Sequence, residues 1–186
     1  MDSKELAKVV EACKKKSRRA KAELYKAYAP TLLGICLRYA KNKSEAEDIL
    51  HEGFIKIYTK IDQAGKGSFE AWMKQIVKNE ALQYLRKRAS LNKRQDQYEK
   101  DYLGDVEYDE ELSVNNISSK KILEFIQSLP DGYRLVFNLY VFEDKSHKEI
   151  AQILNITEST SKSQYFRAKK QLQNHINEYR KLTQES

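Results

Sequence analysis

The stretch Ser146–Lys170 constrains the fold more than any other, because its start, its turn and its restart are all set by local chemistry. Ser146 and Glu149 have the S-x-x-E spacing of a capping box, which predicts a helix opening just before Ile150, Ala151 and Leu154. Asn155 stands where the chain has to turn, and asparagine tolerates the left-handed backbone better than most residues. Ile156 is placed to pack under that turn, and Thr157 to cap a second helix. In the second helix Tyr165, Ala168, Leu172 and Ile176 recur at i, i+3, i+7 and i+11, which predicts one buried stripe. Ser159, Thr160, Lys162, Ser163, Phe166, Arg167 and Lys170 are expected on the other side. Small polar residues first and bases later suit a helix in a major groove, its tip at base edges and its flanks at phosphates. The plainer alternative is a helical hairpin with a solvated basic face.

Charge along the chain extends this. Residues 1–92 carry 20 Lys and Arg against 11 Asp and Glu, residues 93–118 carry 3 against 8, and residues 144–186 carry 8 against 5. Two basic ends around an acidic middle predict two modules that face nucleic acid, joined by a segment that avoids or mimics it. With two prolines and six glycines there is little punctuation for an all-β fold. No apolar run approaches the roughly 18 residues of a membrane span, and the N-terminus lacks the order of a signal peptide, so no direct membrane insertion is expected. Cys13 and Cys36 have no metal-site spacing and read as reduced residues of a cytoplasmic protein; His51, His147 and His175 are scattered. No metal and no cofactor is expected. An enzyme acting on nucleic acid would need an acidic metal cluster, a nucleophile with a base partner, or a P-loop, and no such pattern occurs.

Helical periodicity organises the rest into an all-α chain of two small helical domains joined by a flexible acidic linker. Leu6, Val9, Val10 and Cys13 predict a short amphipathic helix, followed by the basic run Lys14–Arg19. A second pattern runs from Ala20 to Tyr39 with Pro30 expected to kink it. Ser44 and Glu47 read as another capping box, opening a helix with Ile49, Leu50, Phe54, Ile57 and Ile61 on one face. Ser68 is expected to cap a long helix through Phe69, Trp72, Ile76, Val77, Ala81, Tyr84 and Leu85, with Trp72 more often core than base-stacking at this spacing. Residues 93–118 have poor periodicity and read as an extended linker. After it come a helix with Ile122, Ile126 and Leu129, stopped by Pro130, and one with Tyr133, Val136, Phe137 and Tyr140. The expected domains are 1–92 and 119–186.

Two further groups of polar residues stand out in the first domain. Gln75, Asn79, Gln83 and Arg86 recur at i, i+4, i+8 and i+11, a stripe whose amides pair well with base edges and whose arginine pairs with base or phosphate. Before that helix, the glycines of Asp62–Ser68 let a backbone approach closely, Lys66 offers charge, and Gly67 and Ser68 lead into a helix N-terminus that favours phosphate. A solvated helix face and a plain surface loop are the bland alternatives. Asp48, His51, Glu52 and Lys56 lie on the polar side of the helix begun near Ser44 and, taken alone, are an ordinary charged face.

With both ends in view the chain resembles the extracytoplasmic-function class of bacterial RNA polymerase sigma factors, over nearly its whole length. The first domain carries Leu24-Tyr25, Tyr28-Ala-Pro30, Ala46-Glu-Asp-Ile49 with Glu52 and Phe54, and Phe69-x-x-Trp72-x-x-x-Ile76-x-x-Asn79 with Tyr84-Leu-Arg86. The second carries Leu129-Pro130, Tyr133-Arg134, Val136-Phe137-x-Leu139, Glu149-Ile-Ala151, Thr160-x-Lys-Ser163 and Arg167-Ala168. The resemblance implies that the first domain binds core RNA polymerase, with Asp48, His51, Glu52 and Lys56 on the contact helix, and melts the minus-ten element. Its loop at Lys66, Gly67 and Ser68 would help hold a base flipped from the non-template strand. The second domain would read the minus-thirty-five element in duplex promoter DNA, and Phe166, otherwise an exposed aromatic, would touch DNA or polymerase. An anti-sigma factor is a further partner the family implies.

Three positions depart from the family pattern. Ser161 replaces a β-branched apolar residue on the inner face of the recognition helix, where looser packing is expected. Gln83 stands where aspartate is common, and Asp144 where glycine is frequent. His147 is expected to make no more than a surface hydrogen bond or a phosphate contact. The rival reading is a self-sufficient helix-turn-helix regulator with a signal-receiving N-terminal domain, which would use paired half-sites as a dimer. Against it, the Asp48–Arg88 block has no pocket-forming glycine motif.

Overall fold

Every regular element of the computed structural model, which describes residues 1–65, 67–92, 115 and 117–184, is a helix. In chain order these are α1 (Ser3–Lys14), α2 (Arg18–Tyr39), α3 (Lys43–Lys60), a 3-10 turn at Ile61–Gln63, α4 (Phe69–Asn92), α5 (Ser119–Ser128), α6 (Asp131–Val141), α7 (His147–Leu154) and α8 (Glu158–Gln184). They form two compact units, Met1–Tyr84 and Leu85–Ser186, the division falling inside α4. Most of the expected linker, 93–118, lies outside the described residues.

In the N-terminal unit, Asp2 accepts from the Lys4 and Glu5 amides while Glu5 accepts from the Asp2 amide, so α1 starts in a reciprocal cap. It buries Val9 and Cys13. Ser17 caps α2 through the Ala20 amide, and the helix continues through Pro30, whose exposed ring lies away from the buried Leu24, Leu32, Ile35 and Tyr39. The cap of α3 differs from the expected one. Asn42, not Ser44, accepts from the Glu45 amide at 2.9 Å, and Glu45 accepts in return from the Lys41 amide at 2.9 Å. Asn42-x-x-Glu45 overlaps Ser44-x-x-Glu47, and α2 ends at Tyr39, early enough for asparagine to take the cap.

α3 packs on α2 through Ile49, Leu50, Phe54 and Ile57, all fully buried as expected. Against α4 it comes close at Gly53, where an added Cβ would stand 2.9 Å from Cγ2 of Val77. Val77 is β-branched, so it cannot swing aside as a flexible side chain would. Gly53→Leu is therefore expected to cost roughly 2–3 kcal/mol by overpacking, despite its better helix propensity. Thermal unfolding checks this; an unchanged midpoint contradicts the close crossing.

The C-terminal unit is built around α8, against which α5, α6 and α7 all pack. Phe125, Ile126, Leu129, Phe137, Ala168, Leu172 and Ile176 form its core, with Tyr165 and Tyr179 at the edge. α6 is buried on more sides than the sequence suggests. Leu135, Leu139, Asn138 and Arg134 are buried with Val136 and Phe137, whereas Tyr140 is exposed. Arg134 is 0% exposed; its guanidinium donates to Asp131 Oδ1 at 2.6 Å and to the Gln127 carbonyl at 2.8 Å. That pair locks the α5–α6 corner.

Candidate nucleic-acid interface

The helix-turn-helix forms as its local signals require. Ser146 and Glu149 make the reciprocal cap of α7. The Glu149 carboxylate accepts from the Ser146 amide at 2.9 Å, the Ser146 hydroxyl at 2.8 Å and Lys145 Nζ at 3.1 Å. Those donors hold its pKa down at about 2. Asn155 sits in the left-handed region at φ 53° and ψ 52°. Thr157 Oγ1 then accepts from the Thr160 amide at 3.0 Å and starts α8. Asp144, where the family favours glycine, has φ 52° and takes the left-handed turn itself.

On α8 the expected reading face divides. Ser159, Lys162 and Lys170 are exposed. Lys162 lies 2.8 Å from Glu158, so a phosphate would have to displace that carboxylate. Thr160, Ser163, Phe166 and Arg167 are half-buried. The Thr160 hydroxyl is 2.8 Å from that of Thr157, Ser163 donates to the Thr160 carbonyl at 3.0 Å, and Arg167 donates to the Tyr133 hydroxyl at 3.3 Å.

Ser161 and His147 correct the sequence reading. Ser161 is 0% exposed, and its hydroxyl lies 2.9 Å from His147 Nδ1. The imidazole is stacked on Tyr140 at 4.7 Å and 19°, and Tyr165 lies against it at 5.7 Å. The site is a polar clasp. Burial, reinforced by Lys162 and opposed by Glu158, holds the His147 pKa below its ordinary 6.5. Its partner lies 14 residues away on another helix, so no local spacing marks it.

In the N-terminal unit, Ser68 caps α4 through the Ala71 amide at 3.2 Å. Met73, Val77, Ala81 and Leu85 are the buried residues of α4, at a strict four-residue spacing. Gln75, Asn79, Gln83 and Arg86 are all exposed, and Gln75 donates to Asn79 at 3.0 Å. Trp72 is half-buried and touches Phe69, ring centroids 5.2 Å apart; it is not core. At roughly 100° per residue, Trp72 falls between Asn79 and Gln83 around the helix, so an indole joins the polar stripe. The i, i+7, i+11 spacing of Trp72, Asn79 and Gln83 was the available signal. Lys66 lies outside the described residues; Gly67 and Ser68 are exposed. Neither Gly65 nor Gly67 has positive φ or a neighbour within 4 Å of an added Cβ. Among the described residues the glycines therefore serve no close approach within the protein. Beside them a cleft of about 580 Å³ is lined by Leu6, Val10, Tyr28, Ser68 and Phe69.

On α3, Asp48, His51 and Glu52 are exposed, whereas Lys56 is ion-paired to Glu80 of α4 and serves the packing as much as the surface. The sequence reading missed two apolar neighbours of this face. Ile55 is 46% exposed one turn beyond His51, and Tyr25, 42% exposed, packs on Phe54 at 4.6 Å. A mixed acidic and apolar surface of this kind suits a protein partner.

Residues 24–91 match the family Sigma-70 region 2, and residues 119–172 match Sigma-70, region 4. The ECF RNA polymerase sigma factor SigM of Bacillus subtilis is 30% identical over 152 residues, covering 81% of this chain and 91% of the relative. The ECF RNA polymerase sigma factor SigW of the same organism is 29% identical over 185 residues, covering 92% and 96%. The ECF RNA polymerase sigma-E factor of Haemophilus influenzae is 25% identical over 177 residues, covering 90% and 93%. No described helix is long and apolar enough to cross a membrane.

Proposed function

Since the chain belongs to the extracytoplasmic-function class of RNA polymerase sigma factors, promoter-specificity subunits that bind core polymerase, we propose how its residues divide that work. Residues 1–92 engage the polymerase and melt the minus-ten element, residues 119–186 read the minus-thirty-five element, and the acidic 93–118 segment tethers them. Asp48, His51, Glu52 and Lys56, joined by Ile55 and Tyr25, form the polymerase contact. Gln75, Asn79, Gln83 and Arg86, with Trp72, meet the opened strand. A flipped base would enter beside Lys66, Gly67 and Ser68, where the cleft under α1 has an apolar wall; unstacking one base costs only a few kcal/mol. The protein works in the cytoplasm and has no catalytic step of its own. Tethering lets each weak contact act at high effective concentration.

The observation that carries this reading is the exposed amide stripe on α4, with its indole, turned away from the buried Met73–Leu85 face. For the upstream contact, Lys162→Ala and Arg167→Ala holoenzymes are expected to bind duplex promoter DNA with a salt slope lower by about 1 for each phosphate contact removed. Tyr133→Phe, which removes only the hydroxyl that Arg167 meets, should leave the slope as it is. Unchanged slopes in both charge variants would put the upstream DNA on another surface.

A further inference from the structure

We propose that His147 is a positioning residue for promoter reading, its hydrogen bond to the buried Ser161 hydroxyl setting the rotation of α8 about its own axis. This rests on the reading of α8 as the upstream recognition helix. Ser161 is the one fully buried residue between Ser159 and Ser163, so whatever holds it fixes how its neighbours face the groove. A β-branched side chain would hold this position by packing, which has no direction. Serine is too small for that and brings a hydroxyl that burial leaves in need of a partner. His147 supplies one at 2.9 Å, and a hydrogen bond weakens steeply with angle and distance.

The imidazole is itself held. Tyr140 of α6 stacks on it, and Tyr165, one turn further along α8 than Ser161, lies against both rings, 4.4 Å from Tyr140. The clasp thus joins α6, α7 and α8 at the root of the reading face. The charged groups that act on the ring are Lys162 and Glu158 of α8, and Lys162 together with burial favours the neutral form. Protonation is therefore disfavoured in this half-buried place and weakens the clasp, although the charged ring still carries an Nδ1–H toward the Ser161 hydroxyl. Because the folded-state pKa lies below 6.5, the clasp is fully formed above about that pH and weakens as pH falls through the folded value.

The test uses full-length protein in holoenzyme. Its probe is a promoter fragment taken from transcripts that the wild-type holoenzyme initiates, with the upstream element intact or scrambled. The readout is the preference for the intact element between pH 5.5 and 8. His147→Leu and Ser161→Val are each expected to lower that preference about fivefold to tenfold. The double variant should recover most of it, because neither polar group is then left alone. His147→Asn, whose amide reaches the place of Nδ1 but does not titrate, should keep the preference and make it flat with pH. The wild-type preference should be constant above about pH 6.5 and fall as pH drops through the lower folded-state value of His147. Single variants that fold and keep the wild-type preference would overturn the proposal, as would a double variant that loses the sum of both. Should the single variants unfold, the His147→Asn profile decides: flat supports the clasp, and one matching wild type overturns it. A wild-type holoenzyme indifferent to scrambling would overturn the upstream reading and this inference together; a discriminating wild type with indifferent variants overturns this inference alone.

Discussion

Arg134→Ala is expected to destabilise the C-terminal unit by roughly 3 kcal/mol, the lower end of the range for removing one partner of a buried, hydrogen-bonded ion pair, because Asp131 keeps Arg88 at 3.1 Å. The guanidinium is 0% exposed and binds both Asp131 and the Gln127 carbonyl, so alanine removes two charge-assisted bonds and leaves a cavity. Small domains hold only about 5–15 kcal/mol in total, so a large share of the margin goes. Arg134→Lys keeps the charge but loses the planar fork, and should fall between. Denaturant unfolding followed by far-ultraviolet dichroism measures both. A loss under 1 kcal/mol in Arg134→Ala would mean that the corner is held by packing alone.

Asn79→Ala and Trp72→Ala are expected to slow promoter opening by about tenfold to a hundredfold, since a base-edge contact or a stacked base is each worth roughly 1–3 kcal/mol. Binding of the same holoenzymes to the upstream element should change little, because neither residue belongs to the unit that carries α8. Permanganate footprinting reads the opening directly. Normal reactivity of thymines in the minus-ten region with both variants would remove α4 from melting. Gln75 sharpens this expectation: it donates to Asn79, so Gln75→Ala frees the Asn79 carbonyl and should have the smaller effect.

What was legible in the sequence was local. Ser146 with Glu149, Asn155 and Thr157 each act on backbone within four residues, and each took its expected role. The buried stripe Ala168, Leu172 and Ile176 followed from periodicity alone. The α3 cap moved to Asn42 because two overlapping patterns compete and the end of α2 decides between them. The burial of Arg134 has no local sign, because charged residues are seldom fully buried unless paired and its partnership shows only once α5 and α6 meet. Trp72, whose spacing favours the core, is half-buried instead, because Met73, Val77, Ala81 and Leu85 at four-residue spacing fill that face. His147 and Ser161 belong together only in three dimensions. On the proposed reading face of α8, Ser159, Lys162 and Lys170 are exposed, Thr160, Ser163, Phe166 and Arg167 are half-buried, and Lys162 and Arg167 have partners within the protein that no local spacing fixes in advance.

The central claim is that this chain gives core polymerase its promoter choice. Run-off transcription by core enzyme alone and by core reconstituted with the full-length protein, on sheared genomic DNA with the transcripts sequenced, tests it most directly. The expected result is a small set of start sites absent from core alone, each preceded by the same pair of upstream and minus-ten elements. Transcription indistinguishable from that of active core enzyme alone would contradict it.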